Sequence, residues 1–123
     1  MSYIDGFVLA VPTDNRETFI AHAKMANSVF IELGALRVME CWGDDVPEGK
    51  VTDFRRAVQA KDDETVLFSW IEWPDKATRD AAFEQAMKDP RMTPEANPMP
   101  FDGKRMIYGG FRPVVVLPEP GAQ

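Results

Sequence analysis

The sequence predicts an α+β protein of the ferredoxin-like class, a βαββαβ chain with a four-stranded antiparallel sheet. Four short apolar segments are bounded by glycine, proline or turn residues and have the length of strands. Two segments with apolar residues at helical spacing lie among them, in the order strand, helix, strand, strand, helix, strand. The 123 residues suit one domain, which we predict over residues 1–118, with a disordered tail at residues 119–123.

The first strand and the first helix follow each other closely. Residues 7–11 are apolar and lie between a glycine and a proline, which predicts a strand. Thr13 or Asp14 is placed to cap the helix that follows, and Gly34 is placed to end it. One face of this helix is apolar, because five residues recur at spacings of three and four: Phe19, Ala23, Ala26, Phe30 and Leu33.

The central part of the chain contains two strands and an ambiguous segment. Residues 35–42 predict the second strand, and the glycines, aspartates and proline of residues 43–49 predict successive turns. Residues 52–58 fit either a short capped helical turn or an edge strand. Residues 66–73, VLFSWIEW, are rich in aromatic and β-branched residues and predict the third strand.

The last part of the chain predicts one helix and one strand. Asp75 is placed to cap a helix that runs to about Lys88. Residues 92–103 hold three prolines and predict a stiffened loop. Residues 104–117 predict the fourth strand, with a bulge or a close strand contact at its glycine pair.

The predicted sheet has two apolar faces but helices on only one of them. In a strand with one solvated face, apolar and polar residues alternate. Residues 7–11, 66–73 and 114–117 do not alternate cleanly, so an apolar surface must cover the second face. The simplest cover is the same sheet of a second copy, and we therefore predict a homodimer.

Composition limits the classes of partner. The formal net charge of -6 repels phosphate backbones, which disfavours nucleic acid as a partner. The first apolar run is only about five residues long and follows no basic segment, so it is typical of neither a secretion signal nor a membrane span. The single cysteine can form no internal disulfide. We predict a soluble, cytoplasmic protein with no membrane partner.

Two glutamates lie on strand faces that are otherwise apolar or aromatic. Strand alternation puts Glu40 on one face with Trp42, and Glu72 on one face with Trp70. A carboxylate buried on such a face needs a hydrogen-bonding partner. The available donors are Arg37, Arg105 and Tyr108.

These residues form the predicted site if the strand faces line a pocket. The predicted catalytic residues are Glu40, Glu72, Arg105 and Tyr108. The predicted substrate-binding residues are Trp42, Trp70 and Arg37. The alternative is a structural ion pair at a sheet edge or at a dimer seam.

Other reactive residue types give weaker signals. Cys41 has an acidic and an aromatic neighbour rather than a cation, which favours a small buried strand residue over a reactive thiol. His22, the only histidine, lies at the edge of the apolar helix face, where a local hydrogen bond is favoured over catalysis. Asp44, Asp45 and Glu48 lack the spacing of a calcium loop and predict a solvated turn. We therefore predict no metal and no cofactor.

Four motifs in the chain resemble one known family. They are MECWGDDVPEGK at residues 39–50, FSWIEWPDKATRD at residues 68–80, DPRM at residues 89–92 and MPFDGKRMIYGGF at residues 99–111. With these motifs the chain resembles the YbaA-like bacterial family of unknown function, domain of unknown function 1428. The resemblance implies a dimeric α+β barrel, in which two sheets pack face to face around a central space. That superfamily includes cofactor-free monooxygenases, haem-degrading enzymes and isomerase-like proteins, so the fold does not choose among functions.

Two hypotheses for the function stay open at this point. In the first, the homodimer binds a small organic molecule between its sheets, as a cofactor-independent oxidoreductase or isomerase. In the second, the protein is a non-catalytic dimeric binding or interaction module, and the same residues only fix the dimer.

Overall fold

The predicted order of strands and helices is confirmed by the computed structural model, which describes residues 2–119. The strands are β1 (Tyr3–Pro12), β2 (Arg37–Trp42), β3 (Glu64–Trp73) and β4 (Ile107–Phe111). The helices are α1 (Arg16–Glu32), α2 (Phe54–Ala57) and α3 (Lys76–Ala86). Short 3-10 turns lie at Thr13–Asn15, Pro90–Met92 and Gly103–Arg105. Except for Glu119, the predicted tail at residues 119–123 lies outside the described residues.

The strands form one antiparallel sheet in the order β2-β3-β1-β4. β1 is central: it pairs with β3 from Tyr3↔Trp73 to Pro12↔Glu64, and with β4 over residues 4–8. This strand order and the two long helices on one face are those of the predicted ferredoxin-like fold.

α1 and α3 cover one face of the sheet, which we call the helix face. Alternate residues of β1 and β3 point toward these helices. Leu67 of β3 packs with Phe19 of α1. Trp73 is fully buried and meets the rings of Phe30 and Phe83 edge-on, at centroid distances of 6.1 and 5.9 Å. These aromatic contacts hold both helices on the sheet.

A buried ion pair joins α3 to β1 on the same face. Asp5 is only 2% exposed, and Arg79 donates to both of its carboxylate oxygens at 2.8 to 3.2 Å. Trp73 Nε1 donates to the same carboxylate at 2.9 Å. The Arg79 guanidinium also lies over the rings of Tyr3 and Phe83, 5.3 and 4.8 Å from their centroids. The buried charge is thus paired and hydrogen-bonded, as its desolvation requires.

α1 begins differently from the prediction. It starts at Arg16, after the turn Thr13–Asn15, and neither Thr13 nor Asp14 caps it. The Thr13 hydroxyl instead shares a hydrogen bond of 2.7 Å with the Thr65 hydroxyl of β3. Gly34 follows the end of α1 as predicted, with a φ of +115° that a residue with a side chain rarely adopts.

The two shorter helices carry side-chain caps. Residues 52–58 contain a helical turn rather than an edge strand, and the Asp53 carboxylate accepts from the Arg56 N–H at 2.7 Å. Asp75 caps α3 as predicted, accepting from the Thr78 N–H at 2.7 Å. Within residues 2–119, none of the helices has the length and apolar character that crossing a bilayer requires.

β4 is shorter than the predicted fourth strand. It ends at Phe111, and residues 112–117 carry exposed apolar side chains without strand pairing. Pro113 explains the end of the strand, because it has no N–H to donate to a ladder.

The glycine pair of β4 makes a close contact and no bulge. The register with β1 is unbroken there, and Gly109 lies opposite Gly6. A Cβ atom at Gly110 would lie 2.8 Å from Cε2 of Tyr3, so the Tyr3 ring occupies the space of a side chain. The absence of a side chain at Gly110 is therefore a packing requirement.

The second face of the sheet, which we call the open face, is largely uncovered. Its exposed apolar side chains are Phe68 (42%), Ile107 (46%) and Phe111 (60%). The segment around α2 covers one end, where Val58 packs with Ala10 and Val66. The open face is the surface that the predicted homodimer would bury.

Candidate functional site

A cavity of about 120 Å³ lies between α1 and the helix face of the sheet. Its floor includes Phe7 of β1 and Ser69 of β3, and Phe19 of α1 lies above them. Phe101 closes one side, with its ring 5.9 Å from that of Phe19. Small residues of α1 such as Ala23 line this space, and their methyl side chains fill little of it. The cavity is therefore walled mainly by apolar side chains, four of which are phenylalanines.

One end of the cavity holds a polar cluster. Ser69 is 3% exposed and is the one polar residue among the helix-facing positions 67, 69, 71 and 73 of β3. The strand register places Glu40 of β2 directly opposite Ser69. Asn27 of α1 donates from Nδ2 to Oε2 of Glu40 at 2.8 Å. A hydroxyl, a carboxylate and an amide thus converge from two strands and a helix.

A second polar pair lies where α1 meets the loop before β4. His22 lines the cavity, and its Nδ1 is 2.9 Å from Oδ1 of Asn97. Asn97 also donates from Nδ2 to the backbone oxygen of His22 at 3.1 Å. The His22 ring packs edge-on against Phe101, at a centroid distance of 5.8 Å. The local hydrogen bond expected for His22 is present, and the same residue faces the cavity.

Two grooves adjoin the cavity. One, of about 370 Å³, shares Phe7, Phe30 and Met106 with it and extends toward Tyr108 of β4. Methionines line much of this groove, and their flexible side chains adapt to different shapes. The other, of about 630 Å³, runs along α1 toward the β2 edge and shares Glu40 with the cavity. Together they provide space for a ligand larger than the cavity.

The predicted site residues fall on both faces of the sheet. On the helix face are Glu40, Trp42 and Tyr108. On the open face are Glu72, Trp70 and Arg37. Side chains alternate between the two faces along a strand. Glu40 lies opposite Ser69 and shares its face, whereas Glu72 lies three positions from Ser69 and so points to the other face. The structure therefore does not bring Glu40 and Glu72 together within one chain.

The predicted residues on the helix face differ in their distance from the cavity. Glu40 lines it directly, whereas Tyr108 is 73% exposed and stacks on Phe7 at 6.3 Å. Trp42 lies beyond the cavity, with the Arg16 guanidinium 5.7 Å from its ring centroid. Glu40 is thus the predicted catalytic residue best placed to meet a ligand.

The predicted residues on the open face contact one another. Glu72 lies opposite Arg37 in the register between β2 and β3. The Trp70 Nε1 donates to Oε1 of Glu72 at 3.4 Å, and the Trp70 ring packs on Phe68 at 5.7 Å. Cys41 lies on the same face and is half-buried.

Arg105 is engaged in a structural ion pair. Its guanidinium donates to both oxygens of Glu64 at 2.7 Å and to Asp102 at 3.0 Å. It also donates to the backbone oxygen of Gln59 at 2.8 Å. These hydrogen bonds hold the pKa of Glu64 at about 2, well below its usual range. Arg105 fastens the turn before β4 to the start of β3, away from the cavity.

The predicted site residues did not include Ser69 and Phe101, which line the cavity, or Asn97, which holds the lining residue His22. Ser69 carries a signal in the sequence, because it interrupts an apolar alternation along β3. Phe101 and Asn97 carry none, since their contacts join a loop to a helix more than seventy positions away. Within residues 2–119, no three histidine, cysteine or acidic side chains are grouped to hold a metal ion.

The sheet order, the helices on one face and a cavity beneath α1 define a ferredoxin-like α+β protein with a candidate small-molecule site. SnoaB, a cofactor-independent oxygenase from Streptomyces nogalater, shares the fold with a TM-score of 0.53 and 19% identity, over 96% of each chain. A dimeric ferredoxin-like protein from an uncultured marine organism has a TM-score of 0.52 and 13% identity, over 94% of this chain and 96% of its own. At these identities the likeness shows the fold alone.

The chain belongs to the family described as "Protein of unknown function (DUF1428)", which matches residues 2–103. The uncharacterized protein YbaA of Escherichia coli K12 is 56% identical over 115 residues, which cover 94% of this chain and 98% of YbaA. YbaA of Shigella flexneri has the same identity and coverage. The family resemblance of the four motifs is thus confirmed.

Proposed function

We propose that this protein binds a small, mostly apolar organic molecule in the cavity between α1 and the sheet. The observation that carries the proposal is a largely apolar cavity that the Ser69 hydroxyl and the Glu40 carboxylate both line from paired strand positions. Ligand sites commonly combine apolar walls with a few convergent polar groups that orient the ligand. This location differs from the space between two sheets that the sequence suggested.

The volumes favour a ligand that lies partly in the cavity and partly in an adjoining groove. Typical ligand sites measure roughly 300 to 1,000 Å³. The cavity of about 120 Å³ is smaller, and the groove that shares Phe7 and Phe30 with it adds about 370 Å³. A ligand with one ring in the cavity and a substituent toward Tyr108 fits this arrangement.

The proposed reaction class is a cofactor-independent oxidation or an isomerisation. An isomerisation needs only a proton taken from one ligand atom and returned at another, and the Glu40 carboxylate is placed to accept it. An oxidation of this class uses dioxygen as the oxidant after the same proton removal. The description of SnoaB as a cofactor-independent oxygenase supports this class.

The proposed assembly is a homodimer joined through the open face. Exposed Phe68, Ile107 and Phe111 give that face an apolar surface, and a dimeric ferredoxin-like protein shares the fold. In this arrangement Glu72 and Trp70 belong to the dimer surface. The two faces of the sheet then have separate tasks, ligand binding and assembly.

Thermal unfolding with 2-naphthol as the probe tests the binding site. A ligand at one hundred times its Kd stabilises the folded protein by about 2.7 kcal/mol, which raises the melting temperature by several degrees. Ser69→Leu fills the floor of the cavity and abolishes the rise. Ser28→Leu, which changes an exposed α1 serine that lines only the groove toward β2, keeps it.

The outcome of this experiment decides the location. An unchanged rise with Ser69→Leu refutes binding in the cavity. Dioxygen uptake or an isomerised product with bound ligand then tests the reaction class, and binding without either favours the non-catalytic binding module.

A further inference from the structure

We infer that His22 is the hydrogen-bond acceptor of the cavity and that Asn97 holds its ring in the Nδ1–H tautomer. The ligand that His22 selects then carries a hydroxyl group on an aromatic ring or an enol. The class of ligand rests on the proposed function, whereas the tautomer follows from the geometry of His22 and Asn97 alone.

The His22–Asn97 contact is a clamp with two hydrogen bonds. Oδ1 of Asn97 meets the ring nitrogen Nδ1 at 2.9 Å, and Nδ2 of Asn97 donates to the His22 backbone oxygen at 3.1 Å. The Asn97 N–H donates to the Thr93 oxygen at 2.9 Å, which ties the clamp to its own loop. The Asn97 amide is therefore held at both of its ends, and the His22 ring is held at Nδ1.

The clamp fixes which way the Asn97 amide points. If the amide were rotated by half a turn, its oxygen would face the His22 backbone oxygen, and two acceptors would meet. Only the orientation with Nδ2 on the backbone oxygen makes both hydrogen bonds. Asn97 therefore presents an acceptor oxygen to the His22 ring.

An acceptor at Nδ1 determines the tautomer of the neutral ring. Nδ1 must carry the proton that Oδ1 of Asn97 accepts, so Nε2 keeps a free lone pair. Within residues 2–119, Nε2 of His22 has no protein partner, and no buried side-chain nitrogen or oxygen lacks one. Nε2 is therefore accessible, on a residue that lines the cavity.

The surroundings of Nε2 determine the class of ligand. Phe19 and Phe101 lie beside the imidazole at centroid distances of 6.2 and 5.8 Å, which suits a flat ring. A lone pair needs a donor, and a carboxylate ligand has none and would meet the negative Glu40 in the same cavity. A phenol or an enol offers one acidic O–H on a flat skeleton. When its proton moves to Nε2, the products are an imidazolium and a phenolate or enolate.

Nitrogen-15 NMR of the unliganded protein tests the tautomer. The chain has a single histidine, so its two ring nitrogens give an unambiguous signal. At alkaline pH we expect a protonated Nδ1 and a bare Nε2. Asn97→Ala should move the ring toward the Nε2–H form. Asn97→Asp loses the hydrogen bond to the His22 backbone oxygen but keeps an acceptor oxygen at Nδ1, so it should preserve Nδ1–H.

Asn15→Ala is the matched control for loop loosening. Asn15 donates to the Pro100 oxygen at 3.0 Å and so anchors the same loop without touching His22. We expect the His22 signals of the Asn15→Ala variant to match those of the unaltered protein. A protonated Nε2 in the unaltered protein, or identical tautomers with and without Asn97, would overturn the inference.

A pair of probes tests the ligand class. 2-Naphthol offers a hydroxyl that stays protonated near neutral pH, and 2-methoxynaphthalene has a methyl group in place of its proton. We expect the naphthol to bind about tenfold more tightly, as one hydrogen bond to Nε2 predicts, and to shift the Nε2 resonance. Asn97→Ala should remove most of this preference, and Asn97→Asp should retain it.

The outcomes separate this inference from the proposed function. Equal binding of the two probes refutes His22 as the acceptor and leaves the cavity as a binding site. If neither probe binds, the proposed cavity function and the ligand class both fail, and the tautomer is then decided by the NMR result alone.

Discussion

Replacing Glu64 by glutamine should destabilise the protein at neutral pH and destabilise it less as the pH falls toward 2. Glu64 is 6% exposed and receives two hydrogen bonds of 2.7 Å from Arg105, which lower its pKa from 4.5 to about 2. A shift of one pKa unit corresponds to 1.36 kcal/mol, so this decrease corresponds to about 3 kcal/mol of stabilisation. The guanidinium lies near the surface, where solvent screens it, so we expect a loss of about 2 kcal/mol for Glu64→Gln.

The stabilisation by Glu64 should increase with pH. The folded-state pKa of Glu64 lies below the unfolded value, so the stabilisation is complete above about pH 5. It is lost as the pH falls through about 2, where the carboxylate is protonated in both states. The difference between the unaltered protein and Glu64→Gln should therefore shrink steadily between these pH values.

Urea unfolding followed by tryptophan fluorescence measures the effect at pH 7, 5 and 3. Glu84→Gln, at an exposed carboxylate of α3, is the matched control and should change the free energy of unfolding by less than about 0.5 kcal/mol. A loss for Glu64→Gln no larger than that of the control at pH 7, or one that is as large at pH 3, would refute the reasoning.

Four further substitutions probe the two faces of the sheet. Arg79→Met leaves the buried Asp5 carboxylate without its cation and should lower the free energy of unfolding by about 3 to 5 kcal/mol in urea titrations. Gly110→Ala places a Cβ against a β1 tyrosine ring and should lower it by about 1 to 3 kcal/mol, whereas Gly109→Ala, whose nearest contact is 3.5 Å, should be nearly neutral. Phe68→Glu puts a charge on the open face and should convert the proposed dimer to a monomer in sedimentation.

Matched substitutions identify what would contradict these expectations. Lys76→Ala breaks only an exposed pair with Asp80 and should lower the free energy of unfolding by less than about 1 kcal/mol. An equally small decrease for Arg79→Met would show that the buried pair does not stabilise the fold. Equal effects at the two glycines would contradict the contact with the tyrosine ring. Met87→Glu, at an exposed residue directly after α3, should leave the sedimentation unchanged, and a dimer that persists in Phe68→Glu would locate the dimer surface elsewhere.

The sequence was sufficient to predict the fold because its signals are local. The strand VLFSWIEW, the Asp75 cap and the glycine after α1 each depend on a few neighbouring residues. The extent of β4 was overestimated, because the apolar residues 114–117 look like a strand and only the structure shows that pairing ends before Pro113.

The site was harder to predict because it depends on register and on distant contacts. Alternation placed Glu40 and Trp42 together on one face of β2, which the structure confirms. Alternation within β3 says nothing of which face it shares with β2, and a shift of one residue in register exchanges the faces. For this reason the sequence allowed Glu40 and Glu72 to be assigned to one site, although they lie on opposite faces of the sheet.

The central position of β1 has a consequence for biosynthesis. β1 is made first, yet its partner on one edge is β4, so that Ile4 pairs with Phe111. Until the ribosome has released the second half of the chain, β1 exposes unpaired N–H and C=O groups beside apolar side chains. The sheet is therefore completed only after translation has passed β4, and the nascent chain must be kept from pairing with other strands during that interval.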